Sequence, residues 1–164
     1  VTQQELTSSF QHHQTHNGFA NRCLWTWVER AQCLPDGGSP PVHELASVIA
    51  QLRHAAVWAT ARPAINFRRD QEAASMWARH YADLSYHQVG LRGAATSRGE
   101  AQVLRLSAIY AALDCSDLIR PPHLQAALAV WLYCYQSATQ LFGLSTGDPI
   151  ADRIREAAEA SQTA

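Results

Sequence analysis

The chain has 164 residues, 47% of them hydrophobic and 16% charged, which is enough for one ordinary core and unlike a disordered segment. A net charge of −1 and a pI near 6.8 exclude broad electrostatic attraction to DNA, so any nucleic-acid contact must be local. All thirteen basic residues are Arg, and without Lys the chain holds neither a Walker A phosphate loop nor a Schiff-base amine.

Thr2 with Glu5 forms a capping-box pattern, predicting a short helix from Gln3 that decays into the polar stretch Gln11 to Asn17. Gly18 breaks the chain. Cys23-Leu24-Trp25-Thr26-Trp27-Val28 is rich in strand formers and reads as a buried β-strand. Trp25 and Trp27, set on opposite faces of that strand, are expected in the core rather than stacked on bases, which would require exposure and nearby positive charge. Leu34 to Pro41 is a loop with several breakers.

Val42, Leu45, Ile49, Leu52 and Ala56 recur at helical spacing, predicting a helix from about Val42 to Ala59 that Pro63 ends. Ala64 to Phe67 reads as a short extended segment. Asp70 is the expected cap of a second helix whose face is Met76, Trp77, His80, Tyr81 and Leu84. A loop through Gly90 and Gly93 follows. The next helix spans about Arg98 to Leu113, with Val103, Leu106, Ile109, Tyr110 and Leu113 inward. Another starts at Pro122, carries Leu124, Leu128, Trp131, Leu132, Tyr135 and Phe142, and stops at Gly143. Asp148 and Pro149 open a last amphipathic helix, Ile150 to Ala158, with Ile150, Ile154 and Ala157 on one side.

The fold class is therefore mainly α, a bundle of about five to six helices behind a short strand-containing lead-in. Residues 1–41 form the lead-in, residues 42–160 the helical bundle, and 161–164 a tail.

Cys23, Cys33, Cys115 and Cys134 lack C-x-x-C spacing. Zinc ribbons are disfavoured, and scattered reduced thiols point to the cytoplasm. The longest apolar run, Ala126 to Cys134, is too short for a membrane span, and no signal peptide is evident. The first residue is Val1 rather than Met, which reads as a cut or processed fragment. His12, His13 and His16 form an H-H-x-x-H cluster, but without a nearby carboxylate a flexible surface stretch is the plainer reading. No metal ligand is assigned. Arg68-Arg69 is a small basic spot able to touch a phosphate, with a solvated helix entrance as the plainer reading. No Ser-His-Asp or Cys-His arrangement is recognisable.

Asn17-Gly18-Phe19-Ala20-Asn21-Arg22-Cys23-Leu24-Trp25 resembles a motif in a family of uncharacterised helicase-like, primase-associated proteins of phages and mobile elements. Thr96-Ser97-Arg98-Gly99-Glu100-Ala101-Gln102-Val103-Leu104-Arg105-Leu106 resembles the same family, as does Gly147-Asp148-Pro149-Ile150-Ala151-Asp152-Arg153-Ile154, and the three occur in family order. A more distant likeness is to the end of the AAA+ module of minichromosome-maintenance helicases. There an Arg before a buried strand acts as an arginine finger, and an Arg opening a lid helix acts as a phosphate sensor.

The resemblance implies Arg22 and Arg98 as phosphate contacts made in trans. A planar, permanent guanidinium suits the charge that develops on a transferring γ-phosphoryl group. The plainer reading of Arg22 is a salt bridge or carbonyl cap, and of Arg98 a solvated first-turn residue poorly matched to the helix dipole. Arg105 is expected to pair structurally with Glu100, Asp114 or a neighbouring helix. The fragment is expected to be inactive alone and to bind no cofactor, while the parent uses ATP and Mg²⁺. The implied partners are other subunits of a homo-oligomer, the ATPase core and, for the parent, DNA, with no membrane. The alternative is a helical protein-interaction or DNA-docking module with no nucleotide role.

Overall fold

The computed structural model describes residues 18–38, 41–86 and 88–162. The expected helix from Gln3 and the histidine cluster His12, His13 and His16 lie outside the described residues. The fold is mainly helical. A single turn of 3₁₀-helix, Ala20–Arg22, is followed by α1 (Val42–Thr60), β1 (Arg68–Arg69), α2 (Gln71–Leu84), α3 (Gly90–Thr96), α4 (Gly99–Leu113), β2 (Leu118–Ile119), α5 (Pro121–Phe142) and α6 (Pro149–Gln162). The only sheet among the described residues pairs β1 with β2 in parallel, Arg68 opposite Leu118 and Arg69 opposite Ile119.

The helix boundaries follow local chemistry. Asp70 Oδ1 accepts from the Ala73 amide at 2.7 Å, the N-cap expected from sequence. Asp148 Oδ1 accepts from Ile150 at 2.8 Å and opens α6. Gly143, at φ +52°, takes the left-handed conformation that closes α5.

Two expectations are corrected. Cys23 to Val28 is not a strand: the backbone is extended, but no described strand pairs with it, and Leu24 and Val28 are exposed. Side-chain bonds anchor it where a ladder would. Trp25 Nε1 donates to the Ala20 carbonyl at 2.9 Å, and the Tyr133 hydroxyl donates to the Trp27 carbonyl. Residues two apart in an extended chain share a face, and both tryptophans pack on the same cluster rather than on opposite sides. The loop expected at Gly90 and Gly93 is instead α3. The Leu91 amide donates to the Ser145 carbonyl at 3.0 Å, and Gly90, at φ +80°, sits where a Cβ would come within 2.7 Å of that oxygen. This tight approach favours glycine.

The described chain divides into two compact units. The first gathers residues 18–27, 82–100 and 130–162 around Ala20, Leu91, Ala95, Ala138, Leu141 and Phe142. Trp25 meets Phe142 edge-to-face with ring centroids 5.3 Å apart.

The second unit comprises residues 28–81 and 101–129, and buries Trp77, Val103, Ile119 and Leu124. His123 is buried in it, with Nδ1 accepting from the Arg120 amide at 3.1 Å and Nε2 set 2.9 Å from Asp114 Oδ2. An amide can only donate, so Nδ1 is the bare nitrogen and Nε2–H donates to the carboxylate. On α1 the periodic face expected from sequence exists, but Val42, Leu45, Ile49 and Leu52 are exposed, and Ala55 is the buried residue. Ile109, Leu113 and Leu132, expected inward, are exposed as well.

Candidate functional site

Arg22 and Arg98 both belong to the first unit. Asn21, in the 3₁₀ turn, donates through Nδ2 to Ser97 Oγ at 2.9 Å, across 76 positions of sequence. Ser97 directly follows the end of α3, and its hydroxyl also donates to the Ala94 carbonyl at 3.3 Å. Arg22 is the residue after Asn21, and Arg98 the residue after Ser97. One hydrogen bond thus fixes the backbone beside both arginines.

Arg22 is exposed, and its amide donates to the Phe19 carbonyl at 3.1 Å. Arg98 is half-buried in the two-residue turn between α3 and α4. Among the described residues neither guanidinium takes part in an ion pair. The salt-bridge reading of Arg22 therefore finds no partner there. Arg105 is exposed and also forms no ion pair among the described residues, which corrects the expected pairing with Glu100 or Asp114.

Gly99, directly after Arg98, is a residue that sequence reasoning passed over. A Cβ there would lie 2.7 Å from Trp131 Cζ2 and 3.0 Å from the Leu84 carbonyl. The indole thus packs against the backbone at the start of α4 and steadies the turn that carries Arg98. The available signal was a Gly between two charged residues at a helix start. Arg92 and Glu100 of the same unit each keep one buried polar atom, Nε and Oε2, with no hydrogen-bond partner among the described residues.

The third motif is structural in its geometry. Asp152 accepts from the Thr146 amide at 2.7 Å and from Ser145 Oγ at 2.8 Å, tying the loop before α6 to its first turn. Burial pushes this carboxyl up, but those hydrogen bonds and the nearby Arg155 charge outweigh it and hold the pKa below its ordinary value. Burial raises the Cys134 thiol pKa, which keeps it protonated and a poor nucleophile. Among the described residues no group of three or more His, Cys, Asp or Glu is placed to hold a metal ion. No helix there is long and apolar enough to cross a membrane.

Comparison with known proteins finds no matching protein-family model, curated protein or solved structure.

Proposed function

We propose that this chain is the C-terminal helical, lid-like part of a mobile-element replication helicase or related nucleic-acid ATPase, and that Arg22 and Arg98 contact the nucleotide of a neighbouring subunit. The observation that supports this reading is the Asn21–Ser97 hydrogen bond, which joins the residues directly before two arginines distant in sequence. Neither is neutralised by a carboxylate among the described residues. An anion is the ligand that such charge suits. Guanidiniums suit the dispersed charge of a phosphoryl-transfer transition state.

The site is half a site. A chain without Lys has no Walker-type loop, so the phosphate-binding elements, ATP and Mg²⁺ belong to the ATPase core of the parent. The parent is a cytoplasmic homo-oligomer acting on DNA. Measuring its ATP turnover as wild type, Arg22→Ala and Arg98→Ala, with assembly followed by sizing, tests the reading. Loss of turnover in intact assemblies supports it, and unchanged turnover in both variants returns the arginines to structural roles.

A second reading, a helical interaction module without a nucleotide role, is favoured by the exposed apolar stripe Val42, Leu45, Val48, Ile49 and Leu52 on α1.

A further inference from the structure

The second unit carries a basic, aromatic-lined track that neither arginine motif uses. Pro63 follows the end of α1, and the chain turns so that Arg62 folds back over Trp58. Its guanidinium carbon lies 4.2 Å from the ring centroid, and its Nη1 donates to the Trp58 carbonyl. Strand pairing then fixes the next arginines, because the Arg68 amide donates to the Asp117 carbonyl at 3.0 Å and the Asp70 amide to that of Ile119 at 3.1 Å. Arg69 leans over Trp77 with its guanidinium carbon 5.2 Å from the ring centroid.

Two cavities flank β1. One, of about 660 Å³, lies between Trp58, Arg62, Asn66, Arg68 and Asp117. The other, of about 580 Å³, lies between Phe67, Arg68, Arg69 and Leu104. Arg68 lines both and so stands at the wall they share, with Arg62 on one side of it and Arg69 on the other. Both volumes fall in the range of about 300–1,000 Å³ typical of ligand sites. The track sets three exposed arginines against one lining carboxylate, Asp117, in a chain whose net charge is −1. The Asp70 carboxylate is engaged in capping α2.

We propose that this track binds single-stranded nucleic acid, with successive phosphates on Arg62, Arg68 and Arg69 and a base stacked on the outer face of the Arg62 guanidinium. A guanidinium plane backed by an indole is a stacking platform for an unpaired base, and spaced arginines follow a sugar–phosphate backbone. A duplex offers phosphates but no free base, and a mononucleotide reaches only one end of the track. The proposal stands apart from the ATPase reading, since binding by this chain alone requires no nucleotide.

The test is fluorescence anisotropy of the 164-residue chain with labelled oligothymidylate of about twelve nucleotides. The same length of duplex and free thymidine monophosphate serve as comparators. Single strand binds at least about tenfold tighter than either, with a log–log salt slope near −2 for three phosphate contacts. Arg68→Ala weakens binding about fivefold or more and reduces the slope by about 0.7. Arg62→Lys keeps the slope but weakens binding, because the charge survives and the stacking plane does not. Arg153→Ala, an exposed arginine on α6, leaves binding unchanged. Equal affinity for duplex overturns the proposal, as does equal affinity for the monophosphate or an Arg68→Ala variant that binds like wild type.

Discussion

Asn21 and Ser97 are joined by one side-chain hydrogen bond of 2.9 Å, and each is followed immediately by one of the two candidate phosphate-contacting arginines. The bond closes a path of 76 residues, and it positions the arginines without consuming either guanidinium. Asn21 and Ser97 are thus positioning residues in the proposed site.

Removing the bond is expected to loosen the site more than the fold. Asn21→Ala costs about 1 kcal/mol of stability, the usual net worth of a neutral hydrogen bond, and lowers turnover of the parent while nucleotide binding persists. Denaturant titration beside steady-state kinetics checks both halves. A variant that is destabilised yet fully active contradicts the positioning role.

Gly99→Ala sets two effects against each other. Alanine gains up to about 1 kcal/mol in helix propensity, but its Cβ would meet Trp131 Cζ2 at 2.7 Å and the Leu84 carbonyl at 3.0 Å. Overpacking of this kind costs about 1–3 kcal/mol, so a net loss is expected. A raised melting temperature for this variant would show that the indole yields easily and does not hold the turn.

Leu124 and Leu52 separate buried from exposed apolar positions. Leu124 is 0% exposed and Leu52 is 58% exposed. Leu124→Ala is expected to cost about 2–5 kcal/mol, and Leu52→Ala less than about 0.5 kcal/mol. Urea unfolding of the two variants reads the difference. A large loss at Leu52 means that the α1 stripe is covered in solution.

Asp152 sets a pH dependence. Its folded pKa is depressed below the ordinary 3.8, so its contribution is present above that value and is lost as pH falls through the folded pKa. Wild type therefore loses stability in that acid window, and Asp152→Asn lacks this component. The stability difference between the two should shrink as the pH drops below the ordinary value, as followed by thermal unfolding at stepped pH. A difference that stays constant across the window removes Asp152 as its source.

Much of the helical framework was legible because local signals were strong. Pro63, the Asp70 cap, Pro122, Gly143 and the Asp148-Pro149 pair bracket segments of helical periodicity, and α1, α2, α4, α5 and α6 fall within a few residues of expectation. Helix α3 was not legible. It has seven residues, two of them Gly, and its capping contact comes from Ser145, far along the chain. The segment at Cys23 to Val28 has the composition of a strand, but composition does not supply a neighbouring strand to pair with. Conversely, β1 is two arginines, a pair with no strand signature until Leu118 and Ile119 lie alongside.

The candidate site was half legible. Arg22 and Arg98 stood out through the motifs around them, but their nearness depends on a tertiary bond between Asn21 and Ser97 that no local pattern encodes. The roles of Gly99 and of Arg62 over Trp58 were hidden for the same reason, since both arise from close packing of side chains rather than from spacing.

The central claim is that Arg22 and Arg98 act across a subunit boundary, and mixing subunits of the parent tests it most directly. One subunit carries Arg22→Ala with Arg98→Ala, the other lacks the phosphate-binding lysine of its ATPase core, and each is inactive alone. The account predicts that mixed assemblies regain ATP turnover, because an intact loop on one subunit then faces intact arginines on its neighbour. Mixed assemblies that form normally but stay inactive at every ratio contradict it.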